Sequence, residues 1–218
     1  LHRRGETATL AAKEPAMTDA EKPQEVVPRH AASLVILRPD TREVLMGLRG
    51  AKHKFMPNRL VFPGGAVDPA DHHAPIGTPM RPDVVTRLER SADPSLARAL
   101  GVTAARELEE ETGLTLGGPP RLDGLDYLGR AITPMPSPVR FDARFLVVHA
   151  DRVSGTLAGS GELEDLRWWA LDDLHAVDLA GPQRRVLERL HIWMAMSEEE
   201  RRTQTKVAVL HWREWEEE

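Results

Sequence analysis

Apolar residues recur along this chain in two rhythms, one suited to strands and one to helices. AASLVILR, Ala31 to Arg38, is apolar and partly β-branched, the signature of a buried strand. PDTRE supplies turn chemistry, and VLMGLR, Val44 to Arg49, reads as the return strand of a hairpin. RLVF, Arg59 to Phe62, is a further short strand that Pro63-Gly64-Gly65 interrupts. GLDYLGRAIT, VRFDARFLVVHA and LRWWAL alternate well enough to add strands, and LDDLHAVDL makes a short helix or turn.

Helical spacing appears three times. Asp83 to Arg90 predicts a short helix capped by Asp83. Asp93-Pro94 is a start signal, and the run from Ser95 through Thr112 follows it, weakened at Gly101 and closed by Gly113. Pro182 to Met196 carries Val186, Leu190, Trp193 and Met194 on one face, read as core or as a dimer contact. The elements do not alternate as regular β-α-β units, so the expected class is α+β, a curled mixed sheet between helices.

Residues 1–28 are polar and aperiodic and predict a flexible tail, with Met17 inside it as an alternative translation start. The expected division is therefore a tail over 1–28, a folded domain over 29–198 and a C-terminal extension over 199–218.

Composition narrows the functions. The chain has 218 residues and a net charge of −5, a poor balance for gripping a nucleic-acid backbone. With 0 cysteines, disulfides, thiolate zinc sites and a cysteine nucleophile are excluded. No run is long and apolar enough to span a membrane, and a cytoplasmic protein without nucleic-acid or membrane partners is expected.

Candidate chemistry lies in RELEEETGL, Arg106 to Leu114. On a helix Glu107 shares a face with Glu110 and Glu111, three and four residues on. Such like charges repel by about 0.2–0.5 kcal/mol per exposed pair. Burial sharpens the penalty, so a positive partner is expected. Arg106 is one candidate. A hard cation such as Mg²⁺ or Mn²⁺, which takes carboxylate and carbonyl oxygens, is another. A solvated acidic face is the simpler alternative.

FPGG, Phe62 to Gly65, followed by RELEEETGL resembles the box of the Nudix hydrolase family. Arg106, Glu107, Leu108, Glu110, Glu111, Gly113 and Leu114 match its second half at every position, and the resemblance runs from about His30 to Leu190. The first half departs. About two dozen extra residues separate Gly65 from Arg106, an insertion at about 70–94. The box's first glutamate would fall at Asp71 counted forward from Gly65, or at Arg98 counted back from Arg106.

An insertion inside the box, VDPAD after the glycines, and ITP with RFDARF downstream resemble a branch similar to peroxisomal coenzyme A diphosphatases. LMGLRGAKHKFMPNRLVFPGG matches a coenzyme A-associated pattern at Arg49 and Phe62 to Gly65, with Lys54 in place of an arginine.

The resemblance implies an α/β/α sandwich and metal-dependent hydrolysis of a diphosphate linkage. Coenzyme A or an acyl-CoA is the expected substrate, with ADP-ribose, NADH or a nucleoside triphosphate, or a binding-only domain, as alternatives. It implies that Glu107, Glu110 and Glu111 ligate Mg²⁺ or Mn²⁺ with a carbonyl of Gly64, and that Arg106 orients the glutamates. Glu162 or Glu164 would be the proton acceptor, and Arg49, Lys54, Phe62 and Gly65 would bind substrate.

His53, His72 and His73 lack the spacing of a zinc site and read as surface. One of Trp168 and Trp169 is expected in the core, although either could stack on a base.

Overall fold

A computed structural model describes residues 26–50, 57–211 and 214–218. His53, Lys54, Met17 and the expected tail up to residue 25 lie outside the described residues.

The hairpin forms as the pattern predicts. Strand β1 (Arg29–Arg38) pairs antiparallel with β2 (Glu43–Arg49), Leu37 opposite Val44. Strand β3 (Leu60–Val61) extends β2, and β4 (Gly64–Ala66) returns along β1. Helices α1 (Pro82–Leu88) and α2 (Pro94–Thr112) follow, then β5 (Leu114–Thr115), β6 (Asp126–Ile132), β7 (Phe141–His149), β8 (Ser154–Gly155) and β9 (Leu163–Ala170). Helices α3 (Gly181–Ala195) and α4 (Glu198–Thr203) and strands β10 (Ala208–His211) and β11 (Glu214–Glu217) complete the order.

The main sheet runs β11-β10-β6-β7-β1-β2-β3, with β4 also on β1 and β9 also on β2. It is mixed, because β1 lies parallel to β7 and β10 parallel to β6. The continuous apolar run of β1 is explained by burial on both faces. Leu34 and Ile36 enter the core beneath α1 and α2, while Val35 and Leu37 enter the core beneath α3. The result is three layers, helix on sheet on helix.

Local signals set the ends of α2. The Asp93 carboxylate accepts from the Leu96 N–H at 2.8 Å, and Gly113 ends the helix at φ 71°. Gly101 does not weaken the helix as expected. A Cβ there would meet the Met80 sulfur at 3.0 Å, so the glycine lets the segment around Met80 pack close.

Helix α1 starts earlier than expected. Its cap position is Arg81, because Pro82 has a φ suited to the first helical position. Asp83 is thereby placed in the first turn and pairs with Arg81 at 3.1 Å. Arg87, buried on α1, donates to Asp126 Oδ1 at 2.5 Å and to the Tyr127 carbonyl at 3.0 Å. Trp193 donates to the other Asp126 oxygen at 3.0 Å. One carboxylate thus ties α1, the sheet and α3 together.

The α3 stripe is core of this chain, with Val186, Leu190 and Trp193 buried and Met194 half-buried. Residues 208–211 and 214–217, within the expected extension, add two strands to the sheet.

Candidate active site

The last two turns of α2 carry Arg106, Glu107, Glu110 and Glu111 against the strand that follows Pro63. The glycines are what allow the approach. A Cβ at Gly65 would lie 2.2 Å from Glu107 Oε1, and one at Gly64 would lie 2.4 Å from the Ala32 carbonyl on β1. No other residue leaves this space. The Gly64 N–H donates to Glu111 Oε2 at 2.8 Å, and the Gly64 carbonyl accepts from Arg49 at 3.4 Å.

Glu111 is 1% exposed, and its Oε1 has no hydrogen-bond partner; Arg49 Nη2 stands 3.9 Å away. Burial, reinforced by the charges of Glu107 and Glu162, pushes the Glu111 carboxyl up to about 8. Burial likewise raises the Glu107 carboxyl, with Arg106 opposing and Glu110 and Glu162 adding to the rise. Arg106 Nη1 donates to Glu107 at 2.8 Å and to Glu110 at 2.9 Å.

The rest of the Arg106 guanidinium meets one of the two counted positions. Its Nε and Nη2 both bind Asp71, at 3.0 and 3.1 Å. Arg98 instead donates to the carbonyls of Asp71, His72 and Ala74. Of the two counted positions, Asp71 is the one that pairs with Arg106, and Arg98 binds backbone instead. The spacing carried that signal, but the backward count competed with it.

Glu162 and Glu164 flank buried Leu163 at the start of β9. An extra residue in β9 opposite Gly47, with Asp165 at φ 46°, breaks the ladder there. The Glu162 charge bears on Glu107 and Glu111, whereas Glu164 is exposed opposite Leu48. Trp168 and Trp169 are both half-buried on opposite faces, under the guanidinium groups of Arg38 and Arg167. His72 bonds Ser95 at 2.8 Å, and His73 is exposed.

Beside the glycines a cavity of about 160 Å³ opens between the sheet and the start of α3. Arg49, Gly64 and Gly65 form its rim toward the carboxylates, and buried Phe62 forms part of its wall. Ile132, Thr133 and Pro134, with Phe141, Ala143 and Phe145, form more of it. The ITP and RFDARF stretches thus converge on one space. Gln183 and Leu210 also line it. No sequence reading singled out Gln183, although it is the polar member of the apolar α3 stripe.

Among the described residues, no three acidic or histidine side chains already stand as an ion cage. The donor set nevertheless fits a hard divalent cation. A buried carboxylate oxygen lacks a partner, a second carboxylate is raised by burial, and carboxylate oxygens are the ligands such an ion takes.

Residues 97–190 match the model of the NUDIX domain. Over that stretch the chain is similar to a Nudix domain. A Caenorhabditis elegans protein described as "Putative nudix hydrolase 7" is 30% identical over 73% of this chain, which spans 59% of that relative's length. The crystal structure of a NUDIX hydrolase from Alicyclobacillus acidocaldarius is similar at 26% identity, with 78% of this chain and 96% of that one covered and a TM-score of 0.58. The MutT NUDIX hydrolase of Burkholderia pseudomallei shares the fold at 24% identity and a TM-score of 0.52, covering 76% and 99% of the two chains. The fold is the expected α+β sandwich, and it sets Glu107 and Glu111 on the α2 face that meets the glycine strand.

Proposed function

We propose that this chain hydrolyses the diphosphate linkage of a nucleoside-diphosphate-linked substrate, most specifically coenzyme A or an acyl-CoA. The products would be 3′,5′-ADP and 4′-phosphopantetheine or its acyl form. The observation that carries this reading is the packing of Glu107 and Glu111 against Gly65 and Gly64, at the mouth of a cavity able to take part of a ligand.

Glu107, Glu110 and Glu111 would hold Mg²⁺ or Mn²⁺ with the Gly64 carbonyl. Bound there, the cation lowers the pKa of water and offsets phosphate charge. Arg106 keeps Glu107 and Glu110 oriented and is itself fixed by Asp71. Arg49, at the rim, offers a fixed positive charge to a phosphate oxygen. Glu162 is the stronger candidate to accept the proton of the attacking water, supported by its electrostatic reach to Glu107 and Glu111. The coenzyme A assignment draws on Arg49 and on the converging ITP and RFDARF walls.

The test is a substrate panel. Protein with Mg²⁺ or Mn²⁺ is incubated with coenzyme A, acetyl-CoA, ADP-ribose, NADH and nucleoside triphosphates, and products are read by mass. Preferential release of 3′,5′-ADP from coenzyme A is expected. Preferential cleavage of ADP-ribose or NADH would overturn the substrate. No turnover on any member would overturn the hydrolase.

A further inference from the structure

The cavity beside the carboxylates has mostly apolar walls, and Gln183 is set into them along with Ser33, Arg49 and Thr133. Gln183 lies in the first turn of α3 and is 6% exposed. Its Oε1 is closed off from solvent and accepts no hydrogen bond among the described residues. Along the same helix face come Val186, Leu190 and Trp193, all buried. A leucine at 183 would continue the stripe without leaving a buried acceptor unmet, a state that destabilises the folded chain. The loss is recovered when the amide turns toward the cavity that Gln183 lines and a ligand there supplies a donor.

The walls restrict what that ligand is. Phe62, Phe141 and Phe145 line the space with Pro134 and Pro182, a setting for a flat ring. At about 160 Å³ it is smaller than the several hundred usual for a whole small molecule. One ring system fits, with the remainder of the substrate outside, crossing Gly64 and Gly65 toward Glu107 and Glu111. A side-chain amide carries a donor and an acceptor side by side, so its best partner carries the complementary pair. Adenine offers that pair, its 6-amino group beside a ring nitrogen, and glutamine pairs with it at two points.

We propose that Gln183 is the specificity-determining residue of this cavity and that it reads adenine, which rests on the site being one for nucleoside diphosphates. The Gln183 amide bonds the exocyclic amino group and an adjacent ring nitrogen, while the diphosphate extends over the glycine strand. Coenzyme A, ADP-ribose and NADH all carry this base. The residue therefore selects the base and leaves the choice among them to contacts elsewhere.

Calorimetry without metal or turnover tests this. The full chain is titrated with AMP, IMP, GMP and purine riboside 5′-monophosphate, which lacks the amino group. AMP is expected to bind about tenfold more tightly than any of the others. In Gln183→Met, which keeps the volume and removes both polar atoms, the preference should shrink to within about twofold. The ligand-free thermal midpoint should stay level or rise, since an unmet acceptor is gone.

An unchanged AMP preference in Gln183→Met overturns the assignment, as does wild-type protein that binds the four alike or favours IMP or GMP. Should Gln183→Met fail to fold, the wild-type series alone decides. Base preference without hydrolysis of the substrate panel would strike the hydrolase reading and spare Gln183. Hydrolysis without base preference would do the reverse.

Discussion

Asp71 receives both Nε and Nη2 of Arg106, at 3.0 and 3.1 Å, although 35 positions separate the two residues. Two further donors hold the same carboxylate, the Thr103 hydroxyl at 2.8 Å and the Asp68 N–H at 2.9 Å. Asp71 is 2% exposed and cannot turn away. The guanidinium is therefore fixed before it reaches Glu107 and Glu110 with its remaining nitrogen.

Asp71→Asn should test this chain of positioning. The amide keeps the size but loses the charge, leaving Arg106 with a weaker partner. Stability should fall by about 2 kcal/mol, below the full value for a buried pair because Arg106 is partly exposed. The kcat for a cleaved substrate should fall at least about tenfold, since the glutamates lose their fixed partner. Urea unfolding and steady-state kinetics read the two effects, and unaltered kinetics would remove the positioning role.

Gly65→Ala adds one methyl group 2.2 Å from Glu107 Oε1. The carboxylate must move by roughly 1 Å, which in a catalytic constellation costs about a hundredfold in kcat/KM. The thermal midpoint should move little, because Gly65 is only half-buried. A fully active Gly65→Ala protein would show that the position of Glu107 is not critical.

Glu110→Gln deletes a charge from an exposed part of α2. Turnover should drop about a hundredfold while stability stays within about 0.5 kcal/mol of wild type. Near-native activity at saturating Mg²⁺ would sink the assignment of Glu110 to the metal.

Acid should reach Asp142 late. Burial pushes its carboxyl up, but hydrogen bonds from Arg130 and the charges of Arg144, Arg130 and His30 outweigh burial and hold it below the usual range. Its contribution to stability is therefore present above the unfolded value of about 3.9 and is lost as pH falls through the depressed folded value. In urea titrations from pH 7 to pH 3, wild type should exceed Asp142→Asn by a margin that narrows only below about pH 4. A margin independent of pH would contradict this.

What could be read in the sequence depended on whether a feature was local. The β1–β2 hairpin and α2 carry their own period and caps, so they were legible, as was the shared face of Glu107 and Glu111. Strand β4 was not, because Gly-Gly-Ala has little strand preference and owes its conformation to β1. Strands β5 and β8 are two residues each, and they exist only by pairing with one another. The exact start of α1 turned on which residue precedes the proline. At the site, the pairing of Asp71 with Arg106 spans 35 positions, and no local pattern announces it. Gln183 was hidden by the apolar stripe around it, and the position of Glu162 depends on an extra residue in β9.

The cavity wall has one further consequence, in the order of synthesis. Ala131 on β6 and Leu210 on β10 lie opposite each other in parallel register, and both line the cavity. The ribosome delivers one long after the other, since chains fold as they emerge from the N-terminus. A nascent chain that has released α3 but not β10 already carries the glutamate helix without a finished pocket. Premature termination in that interval would leave a fragment with the carboxylates and an unfinished cavity wall.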